Sequence, residues 1–168
     1  DVNRNVVLYN VPGRTGREIP VDVIARLSKH PLMTAVKEAG GSVERVSAIL
    51  DACEITVLSG DDSLTLPMMS VGAKGVISVA SNVIPAEVAA MTKAALDGDY
   101  ATATAMHQRL FPLFRDLFLE SNPIPVKAAL ADMGLIAEEY RLPLCEMASA
   151  NRDKLRLTLK KLGCKIGQ

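Results

Sequence analysis

Two side chains in the sequence have types and positions that suit carbonyl chemistry. Tyr9 closes the apolar run that starts at Val6, and Lys37, 28 residues later, closes the run that starts at Thr34. Because side chains alternate along a strand, Val7 shares a face with Tyr9 and Ala35 with Lys37. A lysine on an interior face loses solvation of its ammonium, which favours the free amine, and a free amine can attack a carbonyl carbon and form an imine. A neighbouring phenol can donate and recover the protons. Arg14 follows in the loop VPGRTG, and Ser59-Gly60 end a third apolar run. Taken singly, each has a plainer reading. A lysine at a strand end is commonly solvated, a tyrosine there is commonly packing with its hydroxyl at the rim, and Arg14 would be a loop residue. GRTG lacks the length and the lysine of a phosphate-binding loop. Glu38 beside Lys37 reads as an ion pair, and His30 and His107 read as isolated residues on helix surfaces without a role.

The elements that must hold these residues alternate between short Val/Ile-rich runs and longer segments of helical period. This pattern predicts βα units on a parallel sheet covered on both faces. The expected strands are 6–9, 34–37, 55–59 and 75–79. Pro20 suits a first helical turn and Pro31 bars continuation, while Ser42 suits a cap ahead of the stripe Val43, Val46, Ile49 and Leu50. Asp61 and Asp62 are expected to cap a short helix reaching Val71, with Pro67 late in it. Pro85 opens a further helix that Gly98 closes. Active sites in such sheets collect at the carboxyl ends of the strands, where Tyr9, Lys37 and Gly60 fall.

Beyond Asp99 only helical patterns follow, so a boundary is expected there, giving domains 1–98 and 99–168. One helix carries Leu110, Phe111, Leu113, Phe114, Leu117 and Phe118 and is expected to bend at Pro112. Two more are expected, from Pro125 to Met133 and from Met147 to Leu162, ended by Gly134 and Gly163. The three phenylalanines read as core or subunit contact.

Composition bounds the rest. Of the 168 residues 49% are hydrophobic, enough for a sizeable core, and 19 basic residues balance 19 acidic ones. That balance leaves no field to gather nucleic acid or an anionic membrane surface. Cys53, Cys145 and Cys164 lie far apart without metal-ligand spacing and read as free thiols of a reducing cytoplasm. With no apolar run as long as a membrane span and no signal peptide, the expected location is cytoplasmic.

YNVPGRTG, AVKEAGG, LSGDD, GAKGVISVASN and ESNPIPVKAAL occur in this order, and together they resemble the dihydrodipicolinate synthase family of the N-acetylneuraminate lyase superfamily. The resemblance spans nearly the whole chain. It implies an α/β fold that is the C-terminal half of a (β/α)8 barrel, about four βα units, followed by an all-helical extension. It implies a Schiff-base enzyme condensing pyruvate with aspartate 4-semialdehyde to 4-hydroxy-tetrahydrodipicolinate, on the lysine and diaminopimelate branch. No cofactor is implied beyond the covalent imine. Lys37 matches the imine-forming lysine, Tyr9 the proton-relaying tyrosine, and Arg14 the arginine that holds the aldehyde's carboxylate with its planar fork. Gly60 and Ile77 fall where the family lines the pyruvate pocket. Gly40 stands where the family commonly carries serine or threonine. The implied partners are the N-terminal half of the barrel, with its pyruvate-carboxylate loop, and further copies in a dimer or tetramer. A related pyruvate-dependent aldolase or dehydratase, or a non-catalytic half-barrel, are the alternative readings.

Overall fold

Runs such as VVLYN and MTAVKE are apolar and β-branched in their middles, so they bury best as strands, and the connections between them are long enough for helical crossovers. The computed structural model describes residues 3–167. Strands β1 (Val6–Asn10), β2 (Met33–Glu38) and β3 (Thr56–Ser59) form a parallel sheet in the order β1-β2-β3. The register sets Tyr9 opposite Lys37 and Asn10 opposite Glu38, and then Lys37 opposite Leu58 and Glu38 opposite Ser59. A shift between Val6 and Val7 precedes this regular stretch.

The helices of the first part are α1 (Pro12–Thr15), α2 (Val21–Leu27), α3 (Val43–Ala52) and α4 (Thr65–Ser70), the last entered through a 3-10 turn at Asp62–Leu64. Ser42 caps α3 as expected, its Oγ accepting from Arg45 N at 3.2 Å. The aspartates do not cap α4 with their side chains. The Asp61 carbonyl instead accepts from Leu64 N and Thr65 Oγ. Pro67 lies in the first turn of α4, where its missing N–H breaks no helical bond. His30 sits in a turn beyond α2, with its Nδ1 accepting from Leu32 N.

Two expectations about the sheet are corrected. The run 75–79 forms no strand. It makes one bridge, Val76 to Ser59, with Ser59 N donating to Gly75 O and Ile77 N to Ser59 O. Pairing stops because Ser59 is already the last residue of β3, Gly60 N turns to Glu38 O, and the run itself passes into a 3-10 turn at Ala80–Asn82. Nor is the sheet covered on both faces. Val36 and Val57, in one row with Leu8, are fully buried, as are Ile24, Val46, Ile49 and Met68 of the helices, whereas Val7 and Tyr9 on the other face are nearly half exposed.

The remaining helices are α5 (Pro85–Leu96), α6 (Tyr100–Asp116), α7 (Ile124–Asp132) and α8 (Ser149–Lys161). Gly98, Gly134 and Gly163 adopt positive φ just past α5, α7 and α8, the conformation that lets a chain leave a helix without strain. The chain divides into two compact units. One takes the chain up to Ser78 with Thr92–Tyr100, and the other takes Val79–Met91 with the chain from Ala101 onward. In the second unit Leu110, Leu113, Phe114, Leu117, Leu155 and Leu159 are buried. The phenylalanines are not one set: Phe114 is core, Phe111 is substantially exposed, and Phe118 lies past the end of α6. His107 is not a surface residue either, because its half-buried ring packs against Phe111 and Phe114 at 5.9 and 6.0 Å, and burial lowers its pKa. Among the described residues no helix is long and apolar enough to cross a membrane, and no cluster of ligand side chains could hold a metal.

Candidate active site

Parallel pairing brings residues of equal register side by side on one face, so the carboxyl ends of β1, β2 and β3 present two rows. The first row is Tyr9, Lys37 and Leu58. Lys37 is half-buried, and its Nζ lies 4.1 Å from the centroid of the Tyr9 ring. The sequence expectation of a lysine beside a tyrosine on adjacent strand ends is therefore met in geometry. The phenol ring remains 47% exposed, because the face it stands on is open.

Gly60 follows β3 and bears on the same lysine. A Cβ at this position would lie 2.6 Å from Ala39 Cβ, 3.1 Å from Lys37 Cε and 3.2 Å from Glu38 O. Only a glycine lets the β3 loop approach Lys37 so closely, since the conflict with Ala39 and backbone cannot be relieved by a rotamer change. Arg14 lies in α1, the single turn that follows β1, and is exposed. Ile77 is 42% exposed and is tied to the end of β3 through its N–H to Ser59 O at 2.9 Å. Tyr9, Lys37 and Gly60 are thus brought into one cluster. Arg14 and Ile77 are attached to the same strand ends through their backbones.

The second row is Asn10, Glu38 and Ser59; the sequence marks Ser59 as a strand end and Glu38 as an ion-pair partner of Lys37, but not that the three share a buried row. All three are fully buried, on the face opposite Lys37. Glu38 is not paired with Lys37. Its Oε1 accepts from Asn10 Nδ2 and from Gly40 N, each at 2.7 Å, and its Oε2 accepts from Arg45 Nε at 2.9 Å. Asn10 Oδ1 accepts from Ile19 N at 2.8 Å, and Arg45 also donates to Ile19 O and pairs with Glu18. Gly40 fits this arrangement, since a Cβ there would stand 2.7 Å from Glu38 Oε1. A signal was present in the sequence: each strand that ends on a site residue carries one further polar residue directly after it.

Asp61 sits at the edge of the cluster. Burial raises its carboxyl pKa, helped by the charges of Glu38 and Asp62, while a hydrogen bond from Gly41 N and the charge of Lys37 oppose the rise. The loops after β2 and β3 meet at this carboxyl, so a proton-accepting group stands within electrostatic reach of Lys37.

The comparisons with known proteins point the same way. Residues 2–162 match the family model described as the dihydrodipicolinate synthetase family. The 4-hydroxy-tetrahydrodipicolinate synthase of Hydrogenobaculum sp. is 51% identical over 163 residues, covering 96% of this chain and 56% of that protein. The enzyme of the same name from Methanosarcina acetivorans is 52% identical over 161 residues, covering 94% of this chain and 55% of that protein. The crystal structure of dihydrodipicolinate synthase from Aquifex aeolicus superposes with a TM-score of 0.97 at 47% identity, over 99% of this chain and 58% of that one. The chain spans a little over half the length of the relatives that it matches. With a family match across nearly its whole length and relatives at about half identity, the chain belongs to the dihydrodipicolinate synthetase family.

Proposed function

We propose that this chain supplies the imine-forming half of a 4-hydroxy-tetrahydrodipicolinate synthase, acting in the cytoplasm on pyruvate and aspartate 4-semialdehyde. Residues 1–98 would be the C-terminal half of a (β/α)8 barrel and 99–168 its helical extension. The observation that carries the reading is the register pair Tyr9–Lys37, with Lys37 Nζ 4.1 Å from the phenol ring at the carboxyl ends of adjacent parallel strands. The open face of the sheet at Val7 and Tyr9 supports the half-barrel, because a closed barrel would cover it with the side chains of the remaining strands.

In the proposed chemistry the neutral Lys37 amine attacks the keto carbon of pyruvate. A C–N bond forms, the carbonyl oxygen takes up protons, and water leaves to give the imine. Loss of a methyl proton then turns the imine into an enamine, whose carbon attacks the aldehyde carbon of the second substrate. The aldehyde oxygen is protonated as the C–C bond forms. The second substrate's amino group displaces Lys37 from the ketimine carbon, closing the ring and returning the free lysine. Tyr9 is suited to carry these protons, Arg14 to hold the aldehyde's carboxylate through its fork of donors, and Gly60 and Ile77 to wall the pyruvate. No cofactor is required, because the lysine itself is the electron sink once joined to the substrate. The remaining barrel half would complete the site, and further copies of the enzyme a dimer or tetramer. Neither nucleic acid nor membrane enters this reading.

A condensation assay on the complete barrel tests it. Lys37→Ala is expected to abolish condensation of pyruvate with aspartate semialdehyde in a folded enzyme. Retained turnover in that variant, or preference for another aldehyde in the parent, contradicts the reading.

A further inference from the structure

The buried row behind Lys37 has no evident role in binding a substrate, and it is unusual in composition for the helix-facing side of a parallel sheet, which is ordinarily apolar. Asn10, Glu38 and Ser59 are all fully buried where Leu, Val or Ile would be ordinary. Buried polar groups are costly unless every one is paired, and here the pairing is nearly complete. Glu38 takes three donors from three different places: the end of β1, the loop after β2 and helix α3. Asn10 uses its amide in both senses, donating to Glu38 and accepting from Ile19.

The backbone bonds at the same level run in step. Ala39 N donates to Asn10 O at 2.9 Å, and Gly60 N to Glu38 O at 2.7 Å. Strand ends are where pairing ordinarily frays, yet these are the residues that directly follow Tyr9 and Lys37. A one-residue slip between β1 and β2 would turn Tyr9 and Lys37 to opposite faces. It would also part Glu38 from its β1 donor, Asn10 Nδ2.

We propose that Glu38, held by Asn10, Gly40 and Arg45, is the positioning residue that fixes Lys37 against Tyr9. It touches neither substrate and acts by locking the last register pair of β1 and β2. The inference rests on the reading of Lys37 as the imine-forming lysine.

The test is the rate at which pyruvate becomes attached to Lys37 in the complete enzyme, read by quenching with borohydride at timed intervals and mapping the adduct. In Glu38→Gln the side chain keeps its shape but must turn an NH2 toward one of its donors. The rate of adduct formation at saturating pyruvate is expected to fall on the order of tenfold to a hundredfold, the scale of small misplacements of a reacting group. The pyruvate concentration giving half the maximal rate should change little. Asn10→Asp should do the same by opposing two carboxylates. The double variant Asn10→Asp/Glu38→Gln exchanges amide and carboxylate, so the glutamine can donate to the aspartate and relieve the opposed carboxylates of Asn10→Asp, although Gly40 N then loses its acceptor; it should regain part of the rate lost in Asn10→Asp. If Glu38→Gln does not fold, Arg45→Lys, which removes the guanidinium fork and keeps the charge, reads the same rate and should lower it. A folded Glu38→Gln enzyme that labels Lys37 at the parental rate overturns the positioning role while leaving the imine lysine intact, as does a double variant slower than Asn10→Asp. Absence of label on Lys37 in the parent overturns both.

Discussion

At the scale of single residues, the proposed chemistry rests on a pair whose position was legible in the sequence. Tyr9 and Lys37 each end an apolar run, and the period of two that orients strand side chains sets them on one face. Gly60 was legible as a strand-end glycine, although the reason for it, a close approach to Lys37 Cε and Ala39, arises only once the loops after β2 and β3 are folded together. Glu38 was misread because a glutamate beside a lysine suggests a local ion pair, whereas alternation sends the two to opposite faces and its partners are Asn10 and Arg45. Arg14 yields a prediction at this scale. If it binds the carboxylate of the aldehyde, Arg14→Ala removes a charge-assisted hydrogen bond worth about 1.5 to 3 kcal/mol. Specificity for the aldehyde should drop by roughly tenfold to over a hundredfold while pyruvate imine formation stays near the parental rate. Steady-state kinetics with each substrate varied in turn separate the two, and equal losses in both would mean that Arg14 serves the fold.

At the scale of elements, three strands and the longer helices were legible from periodicity and from Pro and Gly punctuation, whereas the single turn α1, which carries Arg14, was expected as loop. The fourth strand was not, because an apolar run such as GVISV signals burial without saying how far its neighbour extends, and β3 ends at Ser59. The fastening of α7 to α8 was equally hidden. Asp132 is buried at the end of α7, and Arg152 and Arg156, one turn apart on α8, both bond its carboxylate, at 2.8 and 2.6 Å from Oδ1. Burial alone would raise the Asp132 pKa, but the hydrogen bonds and charges of Arg156 and Arg152 outweigh it and the net shift is downward. A carboxyl with a depressed folded pKa contributes stability above its unfolded pKa and loses it as pH falls through the folded value. Asp132→Asn should therefore destabilise the protein at neutral pH, by about 1 to 3 kcal/mol. The gap in unfolding temperature to the parent should close in acid, below the ordinary carboxylate range. Thermal unfolding followed across pH checks this, and a gap that widens in acid would contradict it.

At the scale of the whole molecule, the α/β character and the family were legible, because five motifs in order constrain more than any one of them. The open sheet face was expected from the resemblance to half a barrel and not from the strands themselves, whose apolar middles suggest cover on both faces. Val7, Tyr9 and Ile77 each expose more than two fifths of their surface. A sheet left open in this way presents unpaired strand edges and apolar area that a barrel would abolish. The 168-residue chain by itself is accordingly expected to self-associate and to lack condensation activity. Light scattering on the chromatographed chain, joined to the assay, examines this, and a compact active monomer would refute it. The central claim is narrower: Lys37 is the residue that joins to pyruvate. The direct measurement is borohydride reduction of the complete enzyme in the presence of pyruvate, followed by peptide mass mapping. The account predicts one reduced pyruvyl group per chain, on the peptide carrying Lys37. An adduct on any other lysine, or none, would contradict it.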